Sequence, residues 1–212
     1  MEIDNHVPSL VHLREFVRAR ASSRPTHVDL DRRQVTAPAE NRIFAFAYER
    51  FLTGVISFVN EGDREALQRV ASEANDRMRP SYEDCAKGMA RILLALMPVG
   101  VRRRQRNVVV LDRDGYELVS LRVHLMFELP SGTIGAFMHF PEHRLTDAEL
   151  MMMDTAVALA TRQIDSSAEP AIIMVRAGTV RLIDSSLALA PGRLAVLRSE
   201  SAAYRTAWAE AA

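Results

Sequence analysis

The sequence predicts an α+β fold in which a helical N-terminal half packs with a mainly antiparallel five-stranded sheet. Three observations carry this. Apolar residues recur at helical spacing through the first hundred positions. Beyond Pro98 the period changes to the alternation of strands. Thr146-Asp-Ala-Glu149 then opens a helix between two groups of strands. The expected order is αααα-βββ-α-ββ-α, a single domain over 1–212. Its parts, 1–100 helical and 101–212 sheet-containing, share one core.

Each element has its own signal. Ser9 caps a short helix whose Leu10, Leu13, Phe16 and Val17 share a face. Residues 21–38, with Pro25 and Pro38, read as an irregular connection. A helix over about 39–59 follows from Ile43, Ala47, Phe51, Val55 and Phe58. Asp63 caps the next, to about Met78, with Leu67, Val70 and Ala74 inward. Ser81 to Asp84 resembles a capping box, and that helix carries Cys85, Met89, Ile92, Leu93 and Leu96 before stopping at Pro98.

Strands are expected over Asn107–Leu111, Tyr116–Leu129 and Thr133–Phe140, with turns at Asp112-Arg-Asp-Gly115 and Pro130-Ser-Gly132. The Thr146 helix runs to about Ile164, with Leu150, Met153, Val157 and Ala160 on its core face. Ala171–Val175 and Thr179–Asp184 form a hairpin through Ala177-Gly178. Pro191-Gly192 breaks the chain before a closing helix with Tyr204 and Trp208.

Composition narrows function. Apolar residues are 48% and charged residues 25%, which places the chain among globular rather than disordered sequences. Net charge is zero, so no global field draws it to nucleic acid or anionic lipid. One cysteine, Cys85, excludes an internal disulfide framework, and an apolar face around it suggests an inert thiol. Met1–Leu10 lacks the apolar run of a signal peptide, and Ile92–Val101 is too short to span a bilayer. A cytoplasmic location without membrane contact is expected. Lys87 is the only lysine, so the remaining 26 of the 27 basic residues are arginines. There is no GxxxxGK[ST] loop, Rossmann GxGxxG or GxSxG elbow, and no cofactor is expected.

Three constellations stand out. His139-Phe-Pro-Glu142-His143 matches the zinc-peptidase string HxxEH, but Pro141 disfavours the helix this chemistry needs, so no metal site is assigned. Strand register yields a second group. With Ser131-Gly132 as the hairpin loop, Leu129, Phe127, Leu125 and Val123 meet Ile134, Ala136, Met138 and Phe140 on an apolar face. The opposite face pairs His124 with His139 and Glu128 with Gly135, with Arg122 nearby. These four form a possible polar site able to bind a metal or act as a proton switch, although two histidines without a third ligand make a poor metal site. The third is Arg102, Arg103, Arg104 and Arg106, a run able to contact phosphates, although no stacking aromatic is interleaved. No catalytic residue is assigned.

The order helix, three antiparallel strands, helix, strand over 83–184 resembles the PD-(D/E)XK nuclease core, in particular its RecB/Cas4-like members. That resemblance implies a metal held by an Asp on one strand and by an acid and a lysine on the next. His124 falls near the Asp position, and Ala136 and Met138 fall where the acid and lysine belong. The resemblance therefore implies a degenerate, inactive member. Thr133-Ile-Gly-Ala-Phe137, Leu145-Thr-Asp-Ala-Glu-Leu150 and the alanine-rich helix after them also resemble the closing strand and helix of GAF sensory domains, over 118–164. This implies a small-molecule pocket between sheet and helices. The expectation from the residues themselves is a non-catalytic binding or regulatory module acting through protein partners or as a homodimer. A nucleic-acid-associated protein and a small-molecule sensor are the alternatives.

Overall fold

A computed structural model of the chain describes residues 6–37 and 48–211. Its helices are α1 (Leu10–Arg18), α2 (Arg24–Thr36), α3 (Glu49–Asn60), α4 (Ala66–Ser72), α5 (Arg79–Leu96), α6 (Asp147–Ile164), α7 (Ser185–Ala188) and α8 (Pro191–Glu210). Its strands are β1 (Gly100–Arg103), β2 (Val108–Leu111), β3 (Glu117–Leu121), β4 (Leu125–Leu129), β5 (Gly132–His139), β6 (Glu169–Met174) and β7 (Thr179–Leu182). The fold is α+β. A five-stranded sheet has the order β1-β4-β5-β6-β7, and β2-β3 forms a separate ribbon. Only β5 and β6 run parallel, joined through α6.

The sheet separates two apolar clusters. Leu125, Phe127, Ile134, Ala136, Met138, Ala171 and Ile173 face α3, α4 and α5. Met126, Phe137 and Ile172 face α6, behind which lie α1, α2, α8 and the ribbon. The N-terminal helices thus divide between the two sides of the sheet. Among the described residues, no helix is long and apolar enough to cross a membrane.

Local signals place most helices. Ser9 Oγ accepts from His12 N, and Thr146 and Glu149 close a reciprocal capping box. Phe51, Val55 and Phe58 are buried on α3 as their spacing predicts, while Ile43 and Ala47 lie outside the described residues. Tyr204 and Trp208 are buried on α8.

Five expectations are corrected. Residues 24–36 are helical, because Pro25 sits in the first turn, where its missing N–H costs nothing, and Val28 is buried. α4 ends at Ser72, and Asp63 turns the chain ahead of it by accepting from Glu65 N at 3.1 Å. α5 starts at Arg79 with Pro80 in its first turn, so Ser81 is inside the helix and its hydroxyl serves Arg176 instead. The chain does not break at Pro191, which begins α8. Finally, 116–129 is not one strand. It divides at 122–124, sending β3 to the ribbon and β4 to the main sheet, whose fifth strand is β1.

The β4–β5 register differs by two residues from the expected one. Leu129 pairs with Gly132, and Phe127 with Ile134. Pro130 prefers the second position of a turn and glycine the fourth, so Pro130-Ser131 forms the loop and Gly132 begins β5. A slip of two preserves which face each side chain occupies. The apolar face of β4 and β5 is therefore the one expected, but Val123, which precedes β4, packs in the cluster on the α6 side instead, and the cross-strand partners change.

Candidate functional site

The β3–β4 junction, the end of β5 and the first residues of α1 and α3 enclose a cleft of about 450 Å³. Leu10, Leu52, Phe137, Met138 and Phe140 supply apolar wall, and Arg14, Glu49, Arg122, His124 and His139 supply polar groups. This size and balance suit a small organic molecule.

His124 is held by the neighbouring strand. Its Nδ1 accepts from Met138 N at 3.0 Å, and its ring meets Phe137 edge-on at 5.1 Å. Burial, then Arg122 and Arg103, push its pKa down to about 3. His139 is only 3% exposed, and its Nδ1 lies 3.3 Å from Arg14 Nη1. Burial, then Arg14 and His143, lower its pKa to about 3 as well. Both rings are neutral at pH 7.

Arg14 is buried on α1 and reaches two further elements. It donates to Glu15 at 2.9 Å, touches His139, and lies 3.7 Å from the buried Glu149 carboxylate on α6. Glu49, the first residue of α3, joins two arginines: its Oε1 accepts from Arg122, and its Oε2 pairs with Arg103 of β1.

The fold brings together three of the four residues in the expected polar group. His124, His139 and Arg122 line the cleft, but Glu128 does not. The register slip moves Glu128 opposite Thr133, and its carboxylate pairs across the strand with Arg102 at 2.8 Å. Arg14 and Glu49 were not expected at the site. Arg14 carried a readable signal, since it stands on the stripe of α1 that includes Leu10 and Leu13. Glu49 carried none.

The arginine run is not a uniform surface. Arg102 and Arg103 alternate on edge strand β1 and answer Glu128 and Glu49. Arg104 continues the ladder by donating its backbone N–H to His124 O, and Arg106 is exposed. His139, Glu142 and His143 lie at a strand end and loop. Glu142 pairs with Arg176 at 3.4 Å, and the two imidazoles stand perpendicular with centroids 5.7 Å apart. Among the described residues, no three His, Cys, Asp or Glu side chains are arranged to hold a metal ion. Lys87 is exposed on α5, whereas Cys85 is fully buried and its thiol is pushed up to about 11.

The neutral histidines set a pH dependence. An unfolded histidine takes up its proton near pH 6.5, whereas His124 and His139 resist until about 3, and the half-buried His6 until about 4. Between these limits the unfolded chain binds more protons, so stability falls as pH drops below about 6.5. Urea midpoints are expected to fall steadily from pH 7 to pH 4.5, and His124→Gln should flatten the slope. A midpoint independent of pH would show that these rings are not buried neutral.

No protein-family model, curated protein or solved structure matches this chain.

Proposed function

We propose that the protein is a non-catalytic regulatory module that binds a small molecule in the cleft at the end of β5. The observation that carries this reading is the cleft itself: a largely apolar cavity whose polar groups come from α1, α3 and the sheet. Ligand-bridged elements of this kind can pass a bound state to the rest of the fold. The GAF-like resemblance of 118–164 agrees with a sensory role. The nuclease-like resemblance implies an inactive member, and the cleft offers one carboxylate, Glu49, already joined to two arginines.

A fragment screen by ligand-observed NMR tests the reading. Val11 is 45% exposed at the rim, so Val11→Trp should obstruct the cleft without disturbing the core. Compounds that bind the wild type should lose most of their affinity for Val11→Trp. A library without binders, or binders indifferent to this substitution, contradicts the reading. Metal-dependent hydrolysis of DNA or RNA, lost in His124→Ala, would overturn its non-catalytic part.

A second reading, action through a protein partner or a second copy, has one observation in its favour. Leu94, Met97 and Val99 are 65%, 72% and 69% exposed where α5 turns into β1. Neighbouring exposed apolar side chains are frequent at protein interfaces. Sedimentation at increasing concentration should then show association that Val99→Glu weakens; a monomer throughout removes the self-association form of this reading.

A further inference from the structure

The hydrogen-bonding inventory of the cleft specifies its ligand more closely, on the reading that the cleft binds a small molecule. A guanidinium can only donate, so His139 Nδ1 accepts from Arg14. A backbone N–H can only donate, so His124 Nδ1 accepts from Met138. Each neutral ring therefore carries its proton on Nε2 and can offer the cleft only a donor. His139 Nε2 is buried without a hydrogen-bond partner among the described residues. Arg14 and Arg122 add further donors.

Carboxylates are scarce by contrast. Glu49 is the one acid among the lining residues, and each of its oxygens meets an arginine, Arg122 on one side and Arg103 on the other. Its carboxylate shows that these two arginines can share an anion. The histidines register the same field. Arg122 and Arg103 press on His124, and Arg14 presses on His139, while Glu49 answers the first two arginines and Glu15 and Glu149 answer Arg14. A cavity that already seats one carboxylate on two arginines, with histidine Nε2–H donors beside them, complements an acceptor-rich, negatively charged group. The apolar wall, with the rings of Phe137 and Phe140, complements a hydrophobic body.

We infer that the cleft takes a small organic anion with an apolar or aromatic body, and that its charged group replaces the Glu49 carboxylate on Arg122 beside His124. Glu49 is then an internal competitor. Its release on binding would free the first turn of α3, which links occupancy to the position of that helix.

Calorimetry with phenyl phosphate and benzoate, against the uncharged benzyl alcohol, tests this on the full chain. Arg122→Gln and Glu49→Gln are the informative variants, with thermal unfolding confirming that each is folded. The anions should bind the wild type more tightly than the alcohol does. Arg122→Gln should weaken them by about tenfold or more, the effect of losing one charge-assisted hydrogen bond. Glu49→Gln should strengthen them, because the competing charge is gone. If either variant fails to fold, the amide signals of His124 and Met138 in the wild type decide, and they must shift with phenyl phosphate. Binding of benzyl alcohol but of neither anion would overturn the inference and leave the cleft reading intact. Anion binding unchanged in Arg122→Gln would place the anion elsewhere and overturn it. If none of the three binds, the cleft reading fails and the inference with it.

Discussion

Gly88→Ala is expected to destabilise the protein by roughly 3 kcal/mol or more, at the upper end of what overpacking usually costs. In an ordinary helix interior the same change stabilises by about 1 kcal/mol, so the sign is diagnostic. Gly88 lies mid-way along α5, where the helix crosses the end of β6. A Cβ there would stand 1.9 Å from the Val175 carbonyl oxygen and 2.9 Å from that of Arg176. Both obstacles are backbone, held by Val175 N donating to His139 O and by the tight turn at Gly178. No rotamer change relieves the clash; α5 or the β6–β7 hairpin must move. Gly192→Ala is the control. It lies in the first turn of α8 with nothing within 4 Å of the added carbon, and it should be neutral or mildly stabilising. Urea denaturation of both variants decides. A Gly88→Ala protein as stable as the wild type would mean that α5 does not rest on that hairpin.

The second large effect is expected at Arg14. Arg14 and Glu149 are 3% and 0% exposed, and breaking a buried charge pair by removing one partner typically costs about 3–5 kcal/mol. Arg14→Met keeps most of the side-chain volume and leaves Glu149 as a buried anion. That carboxylate cannot withdraw, because its Oε2 accepts from both the backbone N–H and the hydroxyl of Thr146. His139 also loses the donor that fixes its tautomer. The double variant Arg14→Met/Glu149→Gln should recover most of the loss, since glutamine serves in a capping box as well and no unpaired charge remains. A double variant no better than Arg14→Met alone would assign the loss to packing rather than charge.

What was legible in the sequence follows physical locality. Ser9 and Thr146 cap helices through atoms three residues away, so their patterns can be read directly. The apolar face of β4 and β5 was legible because alternation survives a register slip of two. Strand partnership was not. Arg102 and Arg103 look like a solvated loop until Glu128 and Glu49 are placed beside them. The outer edge of β1 is satisfied by Asn60 of α3, whose side chain accepts from Val101 N at 2.8 Å and donates to Val101 O at 2.9 Å. Nothing near residue 101 announces that partner.

The site divides along the same line. His124 and His139 both line the cleft although the register that paired them directly is two residues off, whereas Glu128 was misplaced by the turn chemistry of Pro130. Arg14 and Glu49 reach the cleft from helices more than seventy residues ahead of His124 in the chain. The buried ion pair of Arg14 and Glu149 crosses from α1 to α6, and only the folded arrangement brings it together.

The most direct measurement of the central claim, a donor-lined cleft built around two neutral histidines, is the tautomeric state of their imidazoles by long-range proton–nitrogen NMR at neutral pH, with and without phenyl phosphate. The expected result is that His124 and His139 both carry the proton on Nε2, that neither titrates above pH 4, and that the Nε2–H of His124 shifts when phenyl phosphate is added. A charged ring, a proton on Nδ1 of either residue, or a His124 signal indifferent to the anion would contradict the account.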